Sequence, residues 1–311
     1  MTRSQLEYII AIDKHRNFSK AAKACFITQS TLSAMVAKFE KQSGIILFDR
    51  KTKPISVTPQ GVQLIKSIKN IYREYQLLDE KINEIKGHEF GNLSIACIPT
   101  VAPYLYPLIL NTISQKFNTV NFTIHELPTK KIVDEILEGS VDIGIVSTPL
   151  EYKELLEYPL YHEDFLLYDC GKIIENPIYK VTDIDLERLW LMEEGHCLRN
   201  QVGKICELRQ QKMINGNLIY SCGTIFTLIK MVTINKGVTL LPRLALANNT
   251  QIDKQFVHTL VEPIPTRQIG LITHKNFLKK RILQNLIHTI EKAVSPYLSI
   301  DTTETAVIKP F

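Results

Sequence analysis

The sequence predicts an α/β protein made of an N-terminal winged helix-turn-helix, a long linker helix and a two-lobed α/β body. Three observations predict it: helical spacings bounded by cap residues over 4–47, a 4-3 apolar repeat over 64–85, and alternating strand-like and helix-like runs from 91 to 300. A chain of 311 residues has room for several domains with real cores. With 45% apolar and 22% charged residues the composition is that of a globular protein, which excludes collagen-like, disordered and disulfide-stapled classes. Residues 1–5 lead into an amphipathic stretch, not a signal core, and no apolar run approaches the ~18 residues of a membrane helix. A cytoplasmic protein with reduced thiols and no membrane partner is expected.

The first helix is expected over Ser4–Lys14, with Leu6, Ile9 and Ile10 on one face. After a break at His15-Arg16-Asn17, a second starts at Phe18-Ser19 and turns Ala21, Ala22 and Cys25 inward. The third starts at Thr28 or Gln29, buries Leu32, Met35, Val36 and Phe39, and stops at Gly44. Two helices so closely joined form a helix-turn-helix, whose second member enters the major groove of double-stranded DNA by its front. Here that front is Gln29, Ser30 and Thr31, with Ser33 behind, all short polar side chains able to reach phosphates or base edges. In "ILFDRKTKPISVTPQG", two β-like runs flank a turn, a wing that places Arg50, Lys51 and Lys53 against phosphates. Charge agrees: residues 1–60 carry ten Lys/Arg against four Asp/Glu, whereas residues 91–311 carry 22 against 23.

The long helix opens at Thr58-Pro59, a cap followed by proline at the first helical position. Leu64, Ile68, Ile71, Tyr75, Leu78, Ile82 and Ile85 recur in alternating steps of 4 and 3, a heptad seam that favours pairing with a second copy. Residues 87–91 read as a hinge. The run "FSKAAKACFITQSTLSAMVAKFEKQSGIILFDR" resembles the N-terminal domain of LysR-type transcriptional regulators. Ser30 departs from the proline usual there, a change the helix start tolerates.

In the body, "NLSIACIPT", "NFTIHEL" and "VDIGIVS" are expected strands, separated by helices from about Tyr104 and over Thr129–Glu138. That βαβαβ order predicts a parallel sheet flanked by helices. "LWLMEE", a helix over Thr224–Asn235, "VTLLP", "RQIGLIT" and a helix over 277–294 follow, with lobe crossings near 160–166 and 263–269. This resembles the LysR-type effector domain, which implies a periplasmic-binding-protein-like architecture. The expected boundaries are 1–58 for the head, 59–88 for the dimerisation helix and 89–300 for the regulatory domain. Lobe I takes about 89–163 and 267–300, lobe II about 164–266, and 301–311 is a tail.

Six cysteines stand at 25, 97, 170, 197, 206 and 222. Cys25 and Cys97 fit burial on a helix and in a strand; Cys170 and Cys222 have no diagnostic setting. Cys197 follows His196 and precedes Arg199 by two residues, so either cation can stabilise its thiolate, the form that oxidants attack. A zinc site needs further ligands and there is no C-x₂-C pair, and an inert pair is the default in an arbitrary protein. Nine helical residues span about 13.5 Å, whereas a disulfide needs Cα atoms closer than about 7 Å, so helical turns between the thiols would have to refold on oxidation. Gly195 and Gly203 ease such rearrangement.

"GHCLRNQVGKIC", "IPTVAPYLYP" and "GVTLLP" are similar to the hydrogen-peroxide-sensing members of the LysR family. The resemblance implies that Cys197 is the peroxidatic and Cys206 the resolving thiol, joined by a reversible disulfide, with no cofactor and no metal. It also implies that Thr100 and Thr129 hydrogen-bond peroxide, with His196, Arg199 and Arg267 lining the pocket. Asn200 departs from an aspartate in such a relative, which alters the local field but not the chemistry. The partners implied are double-stranded DNA, hydrogen peroxide, RNA polymerase, a second copy in a homodimer or homotetramer, and thiol reductants such as glutaredoxin or thioredoxin. The competing expectations are a LysR-type regulator of a small metabolite with incidental cysteines, and a thiol peroxidase. Turnover separates the latter, because an unrecycled sensor consumes one peroxide per disulfide.

Overall fold

The computed structural model describes residues 1–85, 91–171, 178–207, 222–247, 249–261, 263–298 and 305–311. Contacts divide the chain into two units, Met1–His88 and Glu89–Phe311.

The first unit holds α1 (Arg3–His15), α2 (Phe18–Ala24), α3 (Gln29–Ser43), a hairpin of β1 (Phe48–Asp49) and β2 (Ser56–Val57), and α4 (Pro59–Ile85). The helices start where their caps dictate. Asn17 accepts from Lys20 N, Thr28 from Thr31 N and Thr58 from Gly61 N, each satisfying an otherwise orphaned amide. Gly44 ends α3 in the left-handed region at φ 71°. Leu6, Ile9, Ile12, Leu32, Val36, Phe39 and Phe48 form the core, closed from below by Ile65 and Ile68 of α4. Met35 and Cys25, expected inside, are only half-buried. The expected hinge falls mainly at 86–90, outside the described residues.

In the second unit, β3 (Gly91–Cys97), β4 (Val120–Glu126) and β5 (Ile143–Thr148) are parallel, alternating with α5 (Ala102–Lys116) and α6 (Thr129–Glu138). Next come β6 (Leu155–Asp169), β7 (Ile178–Tyr179), α7 (Cys197–Ile205), α8 (Ile225–Ile234), β8 (Val238–Pro242), β9 (Val257–Leu260), β10 (Ile264–His274), α9 (Lys280–Val294) and β11 (Thr305–Val307). The strand order is β4-β3-β5-β10-β6-β9-β7, with β8 also on β6 and β11 on β10. Antiparallel β10 and β6 extend the parallel trio, and the far end of β6 pairs with β8 and β9. One long strand thus serves both lobes, and each lobe has its own core.

Two expectations need correction. "LWLMEE" forms no strand; Leu189 and Met192 make single bridges to Val238 and Cys222. The segment set aside as a tail is not separate, because Thr305, Ala306 and Val307 pair in parallel with Ile264, Pro265 and Thr266. Among the described residues no helix is long and apolar enough to cross a membrane.

Candidate functional site

Cys197 is the first residue of α7 and Cys206 is its C-cap. Both are buried free thiols, and the helix between them holds them about 13.5 Å apart at the standard rise. Gly195, at φ 96°, makes the turn into the helix in a conformation that suits glycine. Leu198, Val202 and Ile205 recur on one face of α7 and pack in the lobe II core. Cys197 instead joins the lobe I core and is 2% exposed. Its sulfur therefore sits where the two lobes meet.

Thr129, the first residue of α6, donates its hydroxyl to Cys197 Sγ at 3.8 Å. The N-terminal end of α7 also faces negative charge favourably at that position. A buried polar network joins β10, β6 and the turn after β3. Arg267 on β10 is 0% exposed and donates from Nε to Glu163 Oε1 at 2.9 Å. Its Nη1 reaches Thr100 Oγ1 at 3.1 Å and its Nη2 the Thr100 carbonyl at 3.2 Å. Glu163 Oε2 accepts from Leu244 N. Arg267 and Glu163, the two charged groups of this network, are thus paired, as burial requires. Thr100 accepts from Arg267, which leaves its hydroxyl proton to donate to a ligand.

Of the five expected pocket residues, Thr100 and Arg267 bond to each other, and Thr129 bonds to the thiol. His196 is buried at the N-cap of α7, with Nε2 3.5 Å from Glu193 Oε1. Arg199 is half-buried, and no described hydrogen bond or ion pair joins its guanidinium to this group. The cation fixed in the network is Arg267, supplied from a distant strand.

Sequence reasoning missed Glu163 and Gln201, and its reading of Cys97 as a buried strand residue holds. Glu163 was detectable: two adjacent acids, Glu163 and Asp164, interrupt a strand-like apolar run, and such acids need buried partners. Cys97 ends β3 within electrostatic reach of Cys197. Burial, and then Glu126, push its thiol well up against the opposing pull of Arg267. It therefore stays protonated and inert. Burial also raises Cys206, to about 11. Gln201, one turn beyond Cys197, donates to Ser147 Oγ at 3.1 Å, while its own Oε1 is buried without a partner. No cluster of three His, Cys, Asp or Glu side chains among the described residues is placed to hold a metal ion.

The other candidate surface lies on the first unit. Gln29, Ser30 and Thr31 are exposed at the front of α3. Thr28 Oγ1 lies within hydrogen-bond distance of both the Ser30 and Thr31 hydroxyls. Lys51 and Lys53 are exposed on the wing, and Arg50, also exposed, reaches back to α3. Arg50 donates to Glu40 at 2.9 Å and to Ser33 at 3.3 Å, with its guanidinium over the Phe18 ring. Glu40 also accepts from Leu47 N and Phe48 N, so this pair anchors the wing to α3. On α4, Leu64 is half-buried and Ile68 is covered by its own unit. Ile71, Tyr75, Leu78 and Ile82 remain exposed, by 39–55%.

Two families match the chain: "Bacterial regulatory helix-turn-helix protein, lysR family" over residues 4–62 and "LysR substrate binding domain" over residues 86–295. The DNA-binding transcriptional dual regulator OxyR of Escherichia coli is 31% identical over 274 residues, covering 88% of this chain and 89% of that protein. The HTH-type transcriptional regulator EstR of Acinetobacter baylyi is also 31% identical, over 88% of this chain and 90% of its own. A full-length OxyR variant from Pseudomonas aeruginosa has the same fold, with a TM-score of 0.74, 24% identity, and coverage of 94% of this chain and 98% of that one.

Proposed function

This chain belongs to the LysR family of DNA-binding transcriptional regulators, and from that premise we propose that it senses hydrogen peroxide through a reversible Cys197–Cys206 disulfide and so controls oxidative-stress genes. The observation that carries the reading is the placement of two buried thiols at opposite ends of α7, one of them against a buried hydroxyl.

Peroxide enters beside Cys197. Thr100 and Thr129 orient it, and the charge of Arg267 favours the departing oxygen. The sulfur, as thiolate, attacks one peroxide oxygen. The O–O bond breaks, the leaving hydroxide takes a proton to become water, and Cys197 becomes a sulfenic acid. Cys206, still a thiol because it is buried, cannot reach it across the helix. Once α7 opens, Cys206 loses its proton and attacks the Cys197 sulfur, expelling a second water and forming the disulfide. The protein is oxidised by two electrons and peroxide is reduced by two. A dithiol reductant of the glutaredoxin or thioredoxin class returns both electrons.

Closing the loop removes α7 from the lobe II core, which changes the surface of the body. In a dimer paired along α4, that change alters how two heads address a two-fold DNA site, and through it RNA polymerase.

A second reading rests on a cavity of about 640 Å³ lined by Pro99, Tyr104, Pro107, Thr224 and Phe226. It is large enough for a small metabolite, and EstR is an equally identical relative. The two readings separate by peptide mapping after one equivalent of peroxide. Cys197→Ser should abolish both the disulfide and the peroxide-dependent DNA footprint. Cys206→Ala should stop at sulfenic acid, trapped by dimedone. A Cys197→Ser protein that still responds to dilute peroxide moves the metabolite reading to first place.

A further inference from the structure

The face of α7 that does not enter the lobe II core is occupied by the segment Thr305–Phe311. Its first three residues extend the edge of β10 beyond the end of β5, since β5 pairs with Gln268–Thr273 and β11 with Ile264–Thr266. Thr266 O accepts from Ile308 N at 2.7 Å, and Thr266 Oγ1 donates to Ala306 O. The attachment is thus next in sequence to Arg267. The chain then crosses α7. Gln201 Nε2 donates to Ile308 O at 2.8 Å, and Asn200 Nδ2 to Pro310 O at 3.3 Å. Lys204 Nζ donates to Lys309 O at 3.2 Å and to Phe311 O at 2.6 Å. Pro310 is buried, and Ile308 packs on the lobe II core. An exposed ion pair, Lys309–Glu151, adds little.

Positions 200, 201 and 204 all lie between the two cysteines. They meet carbonyls of the segment together because α-helical geometry makes 204 a neighbour of both 200 (i, i+4) and 201 (i, i+3). We propose that Thr305–Phe311 is a strap that holds α7 in its helical, dithiol form, so that disulfide formation requires the strap to let go. The proposal rests on the disulfide reading above. Contacts present in one state only shift the equilibrium toward that state, by an amount set by their difference between states. The strap therefore opposes the resolving step and favours re-reduction. No described hydrogen bond joins it to Cys197, so the first step, Cys197 thiol plus peroxide to sulfenic acid plus water, is expected to be independent of it.

The test uses the full chain, Lys204→Ala, Asn200→Asp, and a chain ending at residue 304. Lys204→Ala removes both charge-assisted bonds from an exposed side chain, and Asn200→Asp replaces a donor with a carboxylate facing a carbonyl. Each protein is brought to equilibrium with defined glutathione thiol and disulfide, and the Cys197–Cys206 bond is quantified by peptide mapping. Expected is a shift toward the disulfide of about two- to fivefold in equilibrium constant for each point variant, and of about tenfold or more for the shortened chain. In a Cys206→Ser background, the dimedone-trapping rate at Cys197 should be the same with and without Lys204→Ala. Point variants with the wild-type equilibrium constant, or one shifted toward the dithiol, overturn the strap even if the shortened chain fails to fold. A wild-type chain that forms no Cys197–Cys206 bond under peroxide overturns the redox reading itself, a distinct result.

Discussion

Arg267 and Glu163 show how much of a buried polar network depends on one pair of side chains. Both are fully buried, and the guanidinium is what holds Thr100 in place. Arg267→Met leaves a buried carboxylate uncompensated, so urea unfolding should show a loss of about 3–5 kcal/mol. The double variant Arg267→Met/Glu163→Leu should recover part of that loss, and an additive result would break the pairing argument. Gly203 makes the opposite case. It lies mid-helix in α7, and a Cβ added there meets nothing within 4 Å. Gly203→Ala should therefore stabilise the helix by about 0.5–1 kcal/mol. Disulfide formation after peroxide should slow by roughly two- to fivefold, read by stopped-flow quench and mapping, with the sulfenic step unchanged. Cys206 adds a pH dependence. Burial raises its folded-state value to about 11, above the ~8.5 of a free thiol. Between those values the unfolded thiol has lost its proton and the folded one keeps it, so α7 loses stability as pH rises through that window. Alkylation of Cys206 by iodoacetamide should accelerate across it. A profile in the folded protein that levels off near 8.5 would contradict the burial.

At the scale of elements, α4 divides its apolar residues between two tasks. Ile65 and Ile68 complete the head, whereas Ile71, Tyr75, Leu78 and Ile82 form an uncovered stripe further along. The heptad spacing was legible because it needs only periodicity. That Ile68 is covered by its own unit was not, because the period does not say which neighbour a seam residue meets. Ile71→Lys should dissociate a dimer paired along this stripe, because it places a charge in the seam. Val62→Lys, equally apolar and 60% exposed but off the seam, should not. Light scattering distinguishes them, and equal masses for both variants would exclude this seam. The wing divides likewise. Arg50 is tied to Glu40, so its loss perturbs the wing itself, while the Lys51 side chain has no described ion pair. Lys51→Ala should reduce the salt dependence of DNA affinity by about one ion with unchanged melting.

Over the whole molecule, the two units have separate cores, so residues 89–311 alone should fold and form the disulfide while losing DNA binding. A fragment that melts without cooperativity would reject that separation. The helix-turn-helix, the wing, the linker helix and the parallel β3–β5 trio were readable because caps, turn residues and apolar spacing act within a few residues of one another. Local composition and family resemblance singled out Cys197 and Cys206, which the structure places at the two ends of α7. Local composition also nominated His196 and Arg199 as the cations beside Cys197, whereas the cation fixed in the buried network is Arg267, brought from β10 and held by Glu163 of β6. The segment read as a tail became a strand against β10 and a cover for α7. The sequence by itself determined which elements form, because those follow from local energetics. Only the tertiary structure decided which acid pairs with Arg267 and what covers the helix between the thiols. Burial forces each polar group to find a partner, and that partner can lie anywhere along the chain.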